Sequence, residues 1–360
     1  MKENYYEKAI SFDSLYKALQ VCSRGVKWKD GVGVYCSNAL KNTHKLRDEL
    51  VSGKYRIRPY HYFEVTDPKK REVMATSIRD RQFQRSLCDN GLYEDLTEHF
   101  IYDNAACQKG KGTDFALTRL EGHLRSHYRR YGTSGYVLIC DIRHFFAETG
   151  HDVAKAAVRK RISDDRAYDA VCQIIDSFPG EKGIGLGSQV SQLVQLSVLD
   201  DLDHYIKERL RIKRYLRYMD DFVLIHPDKA YLQYCLAQIR KELAKIGLRL
   251  NDKTQIQPIG SGIKWLHWRY ALTDTGKVIR KVDKRCMTRC RRRLRRMYAK
   301  GVPAKAAAQS YMSWAAHTER RKAKSRNAKR KRGKVIEAGC PAERARQYFR
   351  MLYGCDPFAS

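Results

Sequence analysis

Apolar and polar residues follow two different periods along this chain, and the switches between them mark out its elements. Residues 1 to about 55 read as helical pieces interrupted at Gly25, Gly31 and Gly33, after which Ala39, Leu46 and Leu50 fall on one face at helical spacing. From Tyr55 to Val65 the pattern alternates and is rich in aromatics. Asp67-Pro68-Lys69-Lys70 then supplies a turn and Arg71 to Ser77 resumes the alternation, which predicts a β-hairpin with a basic tip. Helical spacing returns over Arg79 to Glu98 and, past a polar Gly-Lys loop at Asn104 to Thr113, over Phe115 to Arg129. Tyr136-Val137-Leu138-Ile139-Cys140 is an unbroken apolar run closed by Asp141, the pattern of a buried strand. Helices are expected over Val153 to Ile175 and over Ser191 to Leu210, the second presenting Leu193, Leu196, Leu199 and Leu202. Tyr215 to Tyr218, Met219-Asp220-Asp221 and Phe222 to Ile225 give strand, tight turn, strand. A helix over Tyr231 to Ile246 and a strand over Leu248 to Leu250 complete an α+β core, and the chain from about 276 is helical and basic.

The chain has 360 residues, 43% of them hydrophobic, enough to bury a sizeable core divided into two or three subdomains. No run approaches the roughly 18 uncharged apolar residues of a membrane span, and Met1 to Tyr6 lacks the apolar core of a signal peptide. A cytoplasmic protein without membrane contact is expected. Its 11 cysteines are scattered, and the one close pair, Cys286 and Cys290, has no companion at zinc spacing, so reduced thiols on a helix face are expected.

Charge changes the picture. Lys and Arg number 71 against 40 acids, a net +31, and between Arg280 and Arg332 stand 21 basic residues with only Asp283 and Glu319 opposing them. A polyanion is the natural partner for such a segment, through phosphate neutralisation and counterion release. Tyr298, Tyr311 and Trp314 lie among the cations, where they can stack on bases. A solvated basic tail is the competing interpretation.

Three aspartates carry the candidate chemistry. Asp141 ends an apolar strand, and Asp220 and Asp221 sit at a hairpin tip between apolar strands, where a carboxylate is costly to bury unless paired or bound to a cation. Carboxylates presented together at one sheet edge can hold two divalent ions that activate a primer 3′-hydroxyl and stabilise departing pyrophosphate. For an Asp-Asp dipeptide alone a solvated turn is the better explanation, and it gives way only once the neighbouring motifs are counted.

Tyr218-Met219-Asp220-Asp221 resembles the YxDD signature of reverse transcriptases, Asp141-Ile142-Arg143-His144-Phe145-Phe146 resembles the family's first catalytic motif, and the similarity runs in order across nearly the whole chain. The resemblance implies a right-hand polymerase fold. A helical extension would occupy 1–55, fingers 56–135, an antiparallel palm 136–275 with fingers elements near 153–185, and a basic helical thumb 276–360. It implies Asp141 and Asp221 as principal metal ligands, with Asp220 beside them and Ile142 adjoining, and two Mg²⁺ ions for which Mn²⁺ can substitute. Phe146 stands where the family sets an aromatic beneath the incoming sugar, excluding a 2′-hydroxyl by bulk, although core packing also accounts for it. Lys70 and Arg71, with Arg79 and Arg81 nearby, resemble the segment that grips the triphosphate, with surface ion pairing as the alternative for Arg79 and Arg81. Lys253, in Leu248-Arg249-Leu250-Asn251-Asp252-Lys253-Thr254, is either a proton donor to pyrophosphate or a plain surface lysine.

Leu186-Gly187-Ser188-Gln189-Val190-Ser191-Gln192 narrows the resemblance, since group II intron and retroviral enzymes usually have glutamine where Leu186 stands and group II enzymes end this motif in Ser-Pro. The pattern is similar to diversity-generating retroelement enzymes, which misincorporate opposite adenine; Leu186 and Gln192 would then lie at the nucleotide. Lys109 and Lys111 in the Gly-Lys loop, Tyr218, Met219, Trp265 in a primer-holding hairpin, and Arg291 and Arg295 in the thumb are the expected nucleic-acid contacts. Core packing is the alternative for the tryptophan. Expected partners are template RNA, cDNA product and dNTPs, with a structured non-coding RNA and a small basic accessory protein if the retroelement resemblance holds. A bacterial or phage origin follows from the same resemblance. An antiphage-defence or retron reverse transcriptase and a maturase-like RNA-binding protein are the competing functions.

Overall fold

The computed structural model describes residues 4–65, 71–318 and 341–358. It divides into two compact units, Met1–Pro258 and Ile259–Ser360. The second unit begins ahead of the charge shift near 276, because the strands before the shift form one sheet with a strand beyond it.

The first unit holds a two-stranded ribbon, β1 (His61–Val65) and β2 (Arg71–Ala75), and a four-stranded antiparallel sheet. The sheet comprises β3 (Tyr136–Asp141), β4 (Arg214–Tyr218), β5 (Asp221–His226) and β6 (Gln255–Pro258), in the order β4-β5-β3-β6. Its middle strands are the two apolar runs: Val137, Leu138, Cys140 and Phe222 to Ile225 are all buried, as continuous hydrophobic strands must be. Helix Lys229–Lys245 packs on β3 and β5 and buries Leu232, Cys235, Ile239 and Leu243, a stripe at helical spacing. Its first turn is capped by Asp228, which accepts from the Ala230 amide at 2.8 Å. Helix Thr113–Tyr131 lies against β4 and β5.

Around this sheet the expected helices form with shifted bounds. Gly31 and Gly33 do not interrupt the N-terminal region but lie within helix Asp30–Ser37. A glycine costs a helix only about 1 kcal/mol, and the Gly33 amide donates to the Lys29 carbonyl at 2.8 Å. Gly25, with φ +75°, does mark a break. The expected helix over 191–210 is cut at Leu199 into Gln189–Val198 and Asp200–His204. Leu248 to Leu250 is not a strand: Leu250 makes only an isolated bridge to Ile142, and the edge position is taken by β6, which was not expected.

The second unit opens with the antiparallel sheet β7 (Ile263–Trp265), β8 (Trp268–Leu272) and β9 (Val278–Val282). Helices Lys284–Ala299, Ala304–Thr318 and Pro341–Tyr353 follow. Their shared core gathers Cys290, Leu294, Ala307, Ala308, Tyr311 and Phe349. Tyr311 is therefore a core residue rather than a free stacking surface, and Cys290 is packing, not a ligand. No helix among the described residues is long and apolar enough to cross a membrane.

Candidate active site at the β4–β5 turn

Strand register decides which carboxylates meet. β3 pairs with β5 so that Asp141 lies directly opposite Asp221, and directly opposed residues of antiparallel strands have Cβ atoms about 4.5–5.5 Å apart. Like charges so placed repel, and a bound cation reverses the sign of that interaction. All three aspartates are partly exposed. Asp220 occupies the two-residue turn, where its carbonyl accepts from the buried Ile142 amide at 3.3 Å. Among the described residues no group of three or more His, Cys, Asp or Glu side chains is gathered as a ready metal cage. Adjacent side chains on a strand point to opposite faces, so the geometry pairs Asp141 with Asp221 and sets Asp220 beside them. Hard carboxylate oxygens of this kind suit Mg²⁺, which is commonly held by one or two carboxylates plus substrate phosphates.

Asn251 orients the first of the pair. Its amide donates to the Asp141 carbonyl at 2.7 Å and its side-chain Nδ2 to Asp141 Oδ2 at 3.1 Å. Lys253 is exposed in the same turn, with its backbone amide donating to Asn251 Oδ1 at 3.2 Å.

What holds the turn is a buried ion pair. Met219 has φ +55°, a left-handed conformation that is unfavourable for a bulky side chain and persists only where its surroundings fix it. The Arg217 guanidinium, fully buried, donates to Asp203 from Nε at 2.7 and 3.0 Å and from Nη2 at 2.6 Å. It also donates to the Met219 carbonyl at 3.1 Å and to the Leu196 carbonyl at 3.2 Å. Tyr215 Oη completes the cluster, donating to Asp203 Oδ1 at 2.6 Å. Burial, followed by the Asp203 charge, pushes the Tyr215 phenol far above its ordinary range, which keeps it a donor. Neither Arg217 nor Asp203 stood out in the sequence. The available signal was a charge inside an otherwise apolar strand, Tyr215-Leu216-Arg217, and an aspartate on the apolar side of a helix, both of which require partners.

The expected nucleotide residues are partly assembled. Phe145 is the buried member of its pair, at 2% exposed, and Phe146 is only half-buried. The Phe146 carbonyl accepts from the Ile184 amide at 2.8 Å, and Thr149 accepts from Gly183 at 2.9 Å, so the glycine-rich loop carrying Leu186 is tied to the first catalytic motif. Gly185 permits this path: a Cβ there would come within 2.4 Å of the Phe178 ring. Ser188 caps the following helix, accepting from the Ser191 amide at 3.3 Å. Gln192 is exposed, and its Oε1 lies 3.4 Å from Cys107 Sγ, which is itself 3.8 Å from Met219 Sδ.

Several basic residues are already engaged. Lys70 lies outside the described residues, and Arg71 opens β2 with its backbone opposite Val65. Arg79 is not a surface cation: it is 5% exposed, pairs with Glu49 and with Asp80 at 2.9 Å, and stacks on Tyr55. It ties its own helix, Ile78–Leu87, to the helix carrying Glu49 and to the segment at Tyr55–Arg56. Arg81 is half-buried, with Nη2 donating to the Thr76 carbonyl at 3.4 Å. Lys109 pairs with Glu94 at 3.1 Å, and Lys111 donates to the carbonyls of Tyr102 and Asn104, both at 3.0 Å. Tyr218 is partly exposed and accepts from Thr113 Oγ1 at 3.2 Å. In the second unit Trp265 is 3% exposed, so its ring is packing and is not presented to a nucleic acid. Arg291 lies over Tyr348 and Arg295 is exposed.

Beneath β4 a second charged cluster surrounds Asp103, whose carbonyl accepts from the Arg217 amide at 3.0 Å. Burial pushes the Asp103 carboxyl up, but the His123 ring, the Arg119 guanidinium and the Lys207 ammonium, the last at 2.5 Å, hold it well below the usual range.

Residues 67–268, more than half of the chain, match the family described as reverse transcriptase (RNA-dependent DNA polymerase). The chain belongs to this family. The match spans β2, the four-stranded sheet and the turn with its aspartates, and members of the family use divalent metal ions. Protein YkfC of Escherichia coli (strain K12) is a bacterial relative, 26% identical over 270 residues, or 62% of this reverse transcriptase and 70% of that protein. The structure of apo telomerase from Candida tropicalis superposes with a TM-score of 0.50 at 12% identity, over 62% of this chain and 47% of that one. Telomerase from Candida albicans, in complex with a TWJ fragment of telomeric RNA, gives a TM-score of 0.49 at 10% identity, over 76% and 60%. The reverse transcriptase thus spans about half to three fifths of the telomerase chains. Its α+β fold is the right-hand polymerase fold.

Proposed function

We propose that this reverse transcriptase is an active RNA-directed DNA polymerase that makes cDNA by nucleotidyl transfer at the Asp141–Asp221 edge. The observation that carries the reading is the register that opposes these two carboxylates, next to a turn fixed from below by a buried arginine. Two Mg²⁺ ions bound there would activate the primer hydroxyl and stabilise pyrophosphate. Asp141 and Asp221 would hold them, Asn251 keeping Asp141 in position. Phe146 limits the space beneath the incoming sugar and so favours dNTP. Lys70 and Arg71 would meet the triphosphate, with Arg81 nearby. Lys253, exposed in its turn, would donate a proton to pyrophosphate. The arginine-rich helix of the second unit, Arg295 included, would take the thumb's part, holding an RNA:DNA duplex by backbone and shape.

Within the family we assign the chain to the diversity-generating retroelement type with adenine-directed mutagenesis. Leu186 supports this: an aliphatic side chain cannot hydrogen-bond the nucleotide or its surroundings, which relaxes the geometric check on the new pair. A structured RNA and a small basic accessory protein are the partners this assignment implies.

Primer extension on an RNA template with Mg²⁺ and dNTPs tests the activity. The Asp220→Ala/Asp221→Ala variant should lose extension while keeping RNA affinity, whereas a maturase-like protein would keep its biological activity in that variant. Products from adenine-rich RNA should carry errors concentrated at adenines. An even error spectrum would remove the retroelement assignment and leave a defence-type polymerase.

A further inference from the structure

We propose that the N-terminal helical cap carries a second nucleic-acid site, a single-stranded RNA surface centred on Trp28. The site rests on the reading of the chain as an enzyme that handles RNA, but it lies outside the residues assigned to polymerisation.

Three observations point to it. Trp28 is 76% exposed, although tryptophan is among the most costly side chains to leave in water, and the neighbouring Val34 and Leu40 are 70% and 61% exposed. The indole is held edge-on by its own turn, Nε1 donating to the Gly25 carbonyl at 3.1 Å, so one ring face is available. Helix Asp30–Ser37, which follows, has no buried residue at all. Tyr35 Oη, donating to Gln82 Oε1 at 2.9 Å, ties this helix to the unit and leaves Val34 to solvent.

The second observation is charge. From Lys17 to Arg47 the chain has seven Lys or Arg and one acid, Asp30. Lys17, Arg24, Lys27, Lys29, Lys41 and Lys45 are all exposed, and among the described residues none has a carboxylate partner within 4.0 Å; Arg47 alone is paired, to Asp48 at 4.0 Å. Elsewhere in the first unit exposed cations such as Lys109 and Lys160 have found acids. The third observation is their arrangement around the ring: Lys29 Nζ lies 5.6 Å from the Trp28 centroid, and Arg24 and Lys27 join Trp28, Gln20, Ser23 and Gly25 around one surface pocket. Unpaired cations that track a backbone beside an exposed aromatic are what single-stranded nucleic acid requires, with phosphates neutralised and a base stacked on the ring. An acidic protein would find the cations but not use the flat ring. A duplex would hide its bases from it.

The test uses the full chain with fluorescein-labelled 12-nucleotide oligouridine, read by anisotropy, with the duplex site filled by excess unlabelled primer–template. Wild-type protein should bind the oligonucleotide with the competitor present. Trp28→Ala should weaken binding about 5- to 150-fold, the range of one base–aromatic stack. Lys27→Ala/Lys29→Ala should lower the slope of log affinity against log salt by about 1.4, or about 0.7 per phosphate contact. Both variants should extend a pre-annealed primer at the wild-type rate. Affinity and slope unchanged in both variants would overturn the proposal, as would oligonucleotide binding abolished by the competing duplex. Vesicles of phosphatidylserine and phosphatidylcholine form the control: Trp28-dependent vesicle binding without Trp28-dependent RNA binding also overturns it.

Discussion

Replacing Asp203 by Ala should damage this protein more than replacing any surface acid, and for a reason that separates stability from catalysis. Both Arg217 and Asp203 side chains are 0% exposed. Removing the carboxylate strips the guanidinium of three charge-assisted hydrogen bonds at 2.6 to 3.0 Å and Tyr215 of its acceptor at 2.6 Å. Breaking a buried pair from one side costs about 3–5 kcal/mol, a large part of the roughly 5–15 kcal/mol that holds a domain folded. Urea unfolding of Asp203→Ala should show that loss as a lower midpoint. The double variant Asp203→Leu/Arg217→Met should recover the part due to the uncompensated guanidinium charge, but not the cost of leaving Tyr215 Oη and the Leu196 and Met219 carbonyls without partners. Polymerisation should not recover. The Met219 carbonyl loses its donor, the left-handed turn loses its anchor, and a displacement of about 1 Å at the aspartates costs about 10²-fold in rate. An Asp203→Ala variant within about 1 kcal/mol of wild type, or a double variant that polymerises at full rate, would refute this reasoning.

Other outcomes follow from the same geometry. Phe146→Ala should reduce discrimination against NTPs by up to about 10²-fold, read as the ratio of kcat/KM for dNTP and NTP. Asn251→Ala should lower kcat about tenfold with little change in KM for dNTP, because Asn251 acts by positioning Asp141. Leu186→Gln should lower the error frequency opposite adenine in sequenced products if the aliphatic side chain relaxes the check. For Asp103, the folded-state pKa is depressed, so its stabilising contribution is complete above the unfolded value of about 3.9 and is lost as pH falls through the folded value. Asp103→Asn should therefore be less stable than wild type at pH 7, and the gap in urea midpoint should narrow below about pH 4.

Much of this site was legible before the structure because its strongest signals are local. A carboxylate closing an apolar strand and an Asp-Asp turn between two apolar strands fix both the strands and their edge. The register that opposes Asp141 to Asp221 lies in the pairing of β3 with β5 and not in either apolar run alone. What was not legible depends on contacts between residues far apart in sequence. Arg79 has the composition of a phosphate-gripping arginine, and only its pairing with Glu49 and Asp80 shows it to be structural. The Asp203–Arg217 pair joins a helix to a strand, and although each charge lies on an apolar face, neither sequence position names the other as its partner. Strand β6 carries Gln255 and Gln257 on an edge that is only half covered, so it lacks the apolar run that exposed β3 and β5. Gly31 and Gly33 misled in the opposite direction, since glycine weakens a helix without ending it.

In the proposed reaction Asp141 and Asp221 form one seat for divalent metal. Fe²⁺ substituted for the native ion, with ascorbate and peroxide added, generates hydroxyl radicals that cut the backbone beside the bound metal. With primer–template and dNTP present, cleavage should fall at two places distant in sequence, near Asp141 and near Asp220–Asp221, and Asp141→Asn or Asp221→Asn should abolish both cuts together. Cuts confined to one of the two segments, or surviving at one when the other aspartate is replaced, would contradict a shared seat.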